Sequence, residues 1–166
     1  MRHFAFAAAV AMTVLMAGVL TPAYAEGPDQ AALAGLSEVK IAFDVRNGDP
    51  KGLLKELDVI DETRQSLLKQ GVKPTIVIAF RGPATKLVQT DQAQIKVEDR
   101  DDAMKVAEKI KGLQAAEGVA GMEQCAVAVR LAGTTPENVL PGIKVVGNGW
   151  ISLSAYQAKG YGYIAP

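Results

Sequence analysis

The chain has 166 residues, with 18 basic and 18 acidic side chains, one histidine and one cysteine. A near-neutral balance with no basic stripe lacks the electrostatic footprint of a nucleic-acid binder. A single cysteine excludes an internal disulfide, a CxxC redox pair and a cysteine-only metal site.

The first residues read as an export signal. Arg2 and His3 form a short basic region, an apolar run extends from Phe4 to Leu20, and Pro22 precedes the triplet Ala23-Tyr24-Ala25. This layout predicts a signal peptide over residues 1–25, cleaved between Ala25 and Glu26. The product is then periplasmic or secreted, and soluble. No Arg-Arg pair precedes the run, so the general secretory route is expected, and no cysteine follows the cleavage point to carry a lipid. As an uncleaved anchor the run falls just short of the roughly 20 apolar residues that span a bilayer. Cleavage would remove His3, leaving a single-domain chain of about 140 residues without histidine. Ser-His-Asp and Cys-His arrangements, histidine bases and histidine-bearing zinc sites are then closed. Carboxylate, lysine, tyrosine, hydroxyl or lone-thiol chemistry remains, or plain binding.

Residues 26–37, rich in Ala, Gly and polar side chains, are expected to form a loose N-terminal arm. "EVKIAFDV" (38–45) alternates Val39, Ile41, Phe43 and Val45 with Lys40 and Asp44, which predicts a strand. After the turn "RNGD", Asp49 is a good N-cap and Pro50 suits the first helical position. The following helix places Leu53, Leu54, Leu57, Ile60, Leu67 and Leu68 on one face, and Gly71 is its stop. "KPTIVIAF" (73–80) is apolar without alternation, as in a strand covered on both faces. "RGPATKLVQ" turns into a short helix, and residues 91–100 are polar and expected as a surface loop. "DRDDAMKVAEKIKGLQAAEG" is an amphipathic helix with Met104, Ala107, Ile110 and Leu113/Gln114 inward. A strand then approaches Cys125, "TTPENVL" starts a helix with Thr135 as cap, and "IKVVG" (143–147) is a strand. "WISLSAYQAKG" is a helix ending at Gly160, and "YGYIA" is a last short strand. Strands alternating with helices predict one α/β domain, a mostly parallel five-stranded sheet with helices on both faces.

In such sheets ligands bind beyond the carboxyl ends of the strands. Three loops qualify. Arg46-Asn47-Gly48-Asp49 could cradle an anion at a helix start, but Asp49 already caps that helix, so a tight turn is the favoured reading. It matches neither GxGxxG nor the Walker pattern, so no nucleotide is implied. Arg81-Gly82-Pro83 is a turn first and a site only if it faces the thiol. The third is Cys125. Buried cysteines are commonly inert, yet this one ends a strand, and a thiol at a helix N-terminus has its pKa lowered, with Arg130 one turn on as a further cation. On these grounds both a reactive and an inert cysteine remain open. Glu117 and Glu123 do not make a persuasive pair, and the acidic run through Asp99, Asp101 and Asp102 is explained by a helix N-terminus. Tyr161, Tyr163 and Trp150 read as packing residues. No metal or cofactor is expected.

Four stretches carry a resemblance: "VKIAFDVRNGDPKGLL", "IVIAFRGPATKLV", "MEQCAVAVRLAGTTPENVLPGIKVV" and "LSAYQAKGYGYIAP". In their order and spacing the chain, from about Glu38 to Pro166, resembles the DsrE/DsrF-like sulfur-relay family, in its exported branch. The resemblance implies a flavodoxin-like α/β/α sandwich that assembles into trimers or hexamers. It also implies that Cys125 matches a cysteine that carries a persulfide, exchanging sulfur with donor and acceptor proteins or small polysulfides. A relay cysteine needs an accessible thiol and no histidine. The expectation is therefore a sulfur carrier more than a turnover enzyme. A thiol-independent binding or assembly module with Cys125 in the core is the alternative, and a thiol oxidant sensor the weaker one. Relay members work in the cytoplasm, and here Ala126-Val127-Ala128 follows the cysteine where polar residues would be expected.

Overall fold

The computed structural model describes residues 29–166; the expected signal peptide and cleavage point lie outside the described residues. Within the expected N-terminal arm, Asp29–Leu33 forms a short helix, α1. Leu33–Pro166 forms one compact unit. Among the described residues, no helix is long and apolar enough to cross a membrane.

Five strands build the sheet: β1 (Glu38–Val45), β2 (Lys73–Phe80), β3 (Val119–Cys125), β4 (Lys144–Val146) and β5 (Gly162–Ile164). Their order is β4-β3-β2-β1-β5, and all four pairings are parallel. Four helices follow the strands: α2 (Pro50–Lys69), α3 (Arg100–Gln114), α4 (Ala126–Leu131) and α5 (Gly149–Ala158). From β1 to β4 the chain steps across the sheet in one direction, then returns over three strands to place β5 beside β1. Right-handed crossovers put connections that run in opposite directions on opposite faces. Accordingly α2 and α3 cover one face and α5 the other, a flavodoxin-like three-layer α/β/α arrangement with its own strand order.

The register divides the side chains between the faces. Ile41, Phe43 and Val45 pair with Ile76, Ile78 and Phe80, and all six are buried in the large core under α2 and α3. The alternate positions, Ala42 and Asp44 on β1, Ala79 on β2, and Glu123 and Cys125 on β3, point toward α5.

Helix boundaries follow local chemistry. Asp49 caps α2, its carboxylate accepting from the Gly52 N–H at 2.7 Å, with Pro50 next. Gly71 ends the helix with φ +75°, which a glycine adopts without strain. On α2, Leu53, Leu57, Ile60 and Leu67 are buried, and Leu54 and Leu68 are half-buried at the margin of the stripe.

Three local expectations are corrected. On α3 Ile110 and Leu113 are buried as expected, but in its first half Ala103 and Val106 are buried in place of Met104 and Ala107, so Met104 lies exposed. The stripe that starts with Ala103 and Val106 is slimmer than one starting with Met104, and stiff Val106 loses little rotamer freedom when packed. Residues 91–100 are not purely surface: Ile95 is buried in the core, and a 3-10 turn (Val97–Asp99) leads into α3. "TTPENVL" makes only a single 3-10 turn (Pro136–Asn138), without a side-chain cap from Thr135.

Candidate functional site

The register aligns Val45, Phe80 and Gln124 across the sheet, with Cys125 opposite Val146, so the loops after these strands open on one edge. After β3 the chain turns to α4, whose Val129 packs into the α2/α3 core. After β4 it turns to α5 on the opposite face. Between β3 and β4, neighbouring connections therefore diverge, which is where parallel α/β sheets open a crevice for ligands.

Cys125 occupies that point. It is the last residue of β3 and the extended residue that precedes α4, with φ −73° and ψ 118°. The preceding side chain braces it from the far face: the Gln124 amide donates to Thr85 Oγ1 at 3.0 Å and to the Cys125 carbonyl at 3.2 Å. On the near side the Gly149 N–H donates to Cys125 Sγ at 3.2 Å. Asn148 makes this possible, because its side chain caps α5 by accepting from the Trp150 N–H, leaving the Gly149 N–H for the sulfur. A Cβ on residue 149 would stand 3.1 Å from Cys125 Cβ and 3.4 Å from Sγ, so glycine gives the backbone its close approach to the thiol. A backbone N–H aimed at sulfur stabilises negative charge there.

Cys125 is 7% exposed, and that small surface lines a cavity of about 460 Å³. Val127, Leu131 and Trp150 give the cavity an apolar character, and Arg81 and Lys86 supply its cations. Leu131 and Trp150 are 80% and 68% exposed, a large apolar display for two residues on one rim. Trp150 is not part of the core of this chain: it opens α5 with its ring turned outward, and the Arg81 guanidinium lies 5.9 Å from the ring centroid.

Arg81 is held by Asp44, which is 1% exposed near the end of β1. Arg81 Nε and Nη2 each donate to a different oxygen of this carboxylate, Tyr163 Oη donates to it as well, and Arg46 Nε stands 3.9 Å away. The carboxylate raises the pKa of Arg81 and also that of the Tyr163 hydroxyl, since it is hydrogen-bonded to both. Glu123, two residues before the cysteine on the same face, accepts from Ser152 Oγ and, at 2.8 Å, from Tyr156 Oη. Burial, reinforced by the hydrogen bond to Glu123, pushes the Tyr156 hydroxyl up to about 12. Tyr161 packs edge-on against Tyr156, with ring centroids 5.0 Å apart.

The structure therefore brings together Cys125, Arg81 and Gly82, which all line the cavity. Arg46 reaches the region only through Asp44. Asn47 and Gly48 serve the turn: Asn47 Oδ1 accepts from the Asp49 N–H, Asn47 Nδ2 donates to Glu56, and a Cβ on residue 48 would meet Pro83 at 2.5 Å. Arg130 is exposed on α4 and does not line the cavity. Sequence reasoning missed Asp44, Lys86 and Gly149. One signal was present: an acidic residue next to the end of one buried strand and an arginine just after the next. Among the described residues, no group of three or more His, Cys, Asp or Glu side chains is placed to hold a metal ion.

No protein-family model matches the sequence. Over 128 residues the chain is 25% identical to an uncharacterized protein of Aquifex aeolicus (strain VF5), a match covering 77% of this chain and 56% of that protein. The chain thus spans about half the length of the curated relative it matches. Among solved structures it is similar to MTH1491, a protein of unknown function from Methanobacterium thermoautotrophicum, with a TM-score of 0.59 at 18% identity, over 77% of this chain and 99% of that one. What this structural likeness carries to the present chain is its fold: a five-stranded parallel sheet layered with helices.

Proposed function

We propose that this is an exported sulfur-handling protein of the DsrE/DsrF-like kind, which holds sulfane sulfur as a persulfide on Cys125. The carrying observation is the seat of the chain's sole thiol: at the switch point of the sheet, facing a cavity, with the Gly149 N–H donating to Sγ. The chemistry needs nothing further from the chain. The Cys125 thiolate attacks a sulfane sulfur, a new S–S bond forms, and the donor leaves as a thiolate one sulfur shorter. No net oxidation occurs, and the reverse attack by an acceptor thiol unloads the carrier. The Gly149 N–H steadies the charge on sulfur. Donor and acceptor proteins or small polysulfides are the partners this role requires, and a homo-oligomer, trimer or hexamer, follows from the resemblance alone.

One observation favours a second reading. At 7% exposure Cys125 is nearly enclosed, which suits a thiol-independent binding module that uses the same cavity. Intact mass after exposure to inorganic polysulfide separates the two. The carrier gains one sulfur, lost again on reduction and absent in Cys125→Ser. A mass that stays unchanged, with a thiol that resists alkylation until the protein is unfolded, rejects the carrier.

A further inference from the structure

The walls of the cavity beside Cys125 suit an organic donor better than an inorganic one. Thiosulfate and short polysulfides have no hydrocarbon body, so burial against an apolar wall adds little to their binding. Val127, Leu131 and Trp150 form such a wall, and the positive charge is confined to Arg81 and Lys86. Size points the same way. An apolar cavity of about 150 Å³ accepts benzene, and this one, about 460 Å³, has room for a ring and an acidic head. Both cations line the same cavity as the thiol. Arg81 Cδ and Cys125 Sγ lie 3.6 and 3.4 Å from one point, the position a Cβ on Gly149 would occupy. Lys86 is exposed on the 3-10 turn (Gly82–Leu87). Two buried carboxylates share this face, Asp44 beside Arg81 and Arg46, and Glu123 two residues before Cys125, against the three cations Arg46, Arg81 and Lys86, so one positive charge remains in excess.

We propose that the cavity takes an organic anion with a ring-sized apolar body and an oxyanion head, and that the donor to Cys125 is an organic thiosulfonate. This rests on the carrier reading of Cys125. The ring lies against Trp150 and Leu131, the sulfonyl oxygens meet Arg81 and Lys86, and the terminal sulfane sulfur faces Sγ. In the transfer, the Cys125 thiol first gives its proton to solvent. The thiolate then bonds to the sulfane sulfur as the bond from that sulfur to the sulfonyl sulfur breaks. The bonding pair leaves with the sulfinate, whose charge the same two cations hold. Cys125 is left as a persulfide anion, and no oxidant or reductant is consumed.

The test compares benzenethiosulfonate with methanethiosulfonate, which share their reacting atoms and differ in the apolar body. Each rate of one-sulfur mass gain at Cys125 is divided by the rate with N-acetylcysteine, and inorganic polysulfide serves as a third donor. The expected result is a normalised preference for the aromatic donor of about tenfold or more, shrinking in Trp150→Ala and in Lys86→Glu. Benzenesulfonate, which cannot react, should shift the fluorescence of Trp150, the sole tryptophan, saturably in wild type and in Cys125→Ser. Loading by polysulfide with a normalised ratio near one, and no fluorescence shift, overturns this inference and leaves the carrier reading standing. Failure of all three donors to load Cys125 overturns the carrier reading and the delivery step, and the benzenesulfonate titration then decides the cavity's ligand on its own.

Discussion

The two faces of the sheet are built from different materials. On the face covered by α2 and α3, Leu53, Leu57 and Ile60 of α2 and Ile76, Ile78 and Phe80 of β2 are all almost wholly buried. Under α5 the buried apolar set is Ala42, Ala79 and Leu153, flanked by Tyr156 and Tyr161. The polar groups Asp44 and Glu123 and the thiol of Cys125 share that second face. Burial of large aliphatic groups supplies most of the folding free energy, so the first face holds the molecule together. The second is assembled by directed bonds: Asp44 to Arg81 and Tyr163, Glu123 to Ser152 and Tyr156, Gly149 to the thiol. Directed bonds contribute less stability but set positions, and a site needs positions.

Substitutions on the two faces should therefore differ in kind. The largest loss is expected from Leu57→Ala on the apolar face, about 3 kcal/mol for the lost contacts and the cavity left behind, read by urea unfolding. Alkylation of Cys125 in the native state should be unchanged at low denaturant. Asp44→Asn comes next, at about 2–3 kcal/mol, because it leaves the Arg81 guanidinium without its charge partner. Unlike Leu57→Ala it should also change Trp150 fluorescence, since Arg81 lies near that ring. Equal fluorescence in the two variants would remove the distinction drawn between the faces.

Glu123→Gln should cost about 1 kcal/mol, as one carboxylate acceptor is replaced by a weaker one. Its sharper readout is the Tyr156 hydroxyl. With the carboxylate gone, its pKa should fall below about 12, toward but not reaching its ordinary value, since burial remains. The sign for stability follows. The folded-state value lies above the unfolded one, so Tyr156 stabilises the fold fully below pH about 10, and this contribution is lost as the pH rises through about 12. Phenolate absorbance during alkaline titration measures both. Gly149→Ala should be smallest in stability, below about 1 kcal/mol in either direction. It should nonetheless slow modification of Cys125, because the added methyl meets the side chain at 3.1 Å. A variant that alkylates at the wild-type rate would show that the Gly149 contact does not govern the thiol.

Much of the fold was legible because it rests on local rules. The apolar alternation of residues 38–45, the continuous run at 76–80, the Asp49-Pro50 start and the Gly71 stop each depend on neighbours in sequence, and each element stands where those rules put it. The first half of α3 was less legible, since Met104/Ala107 and Ala103/Val106 are both apolar pairs and only contact with the sheet separates them. At the site the sequence pointed to Cys125 and the Arg81 turn. It could not pair Asp44 with Arg81, 37 positions away, or Tyr163 with Asp44, 119 positions away.

The sequence by itself determined the strands at 38–45 and 73–80, the two ends of α2 and the solitude of the thiol, all properties of residue identity and short spacing. Only the tertiary structure decided which face each strand residue serves, which loops converge, and that Gly149 and Cys125, 24 positions apart, meet at 3.2 Å. The physical reason is that strand order and crossover hand are settled by long-range packing, which single-residue preferences do not encode. Once β4 is laid beside β3 and α5 returns across the opposite face, the crevice, its apolar wall and its cations follow together.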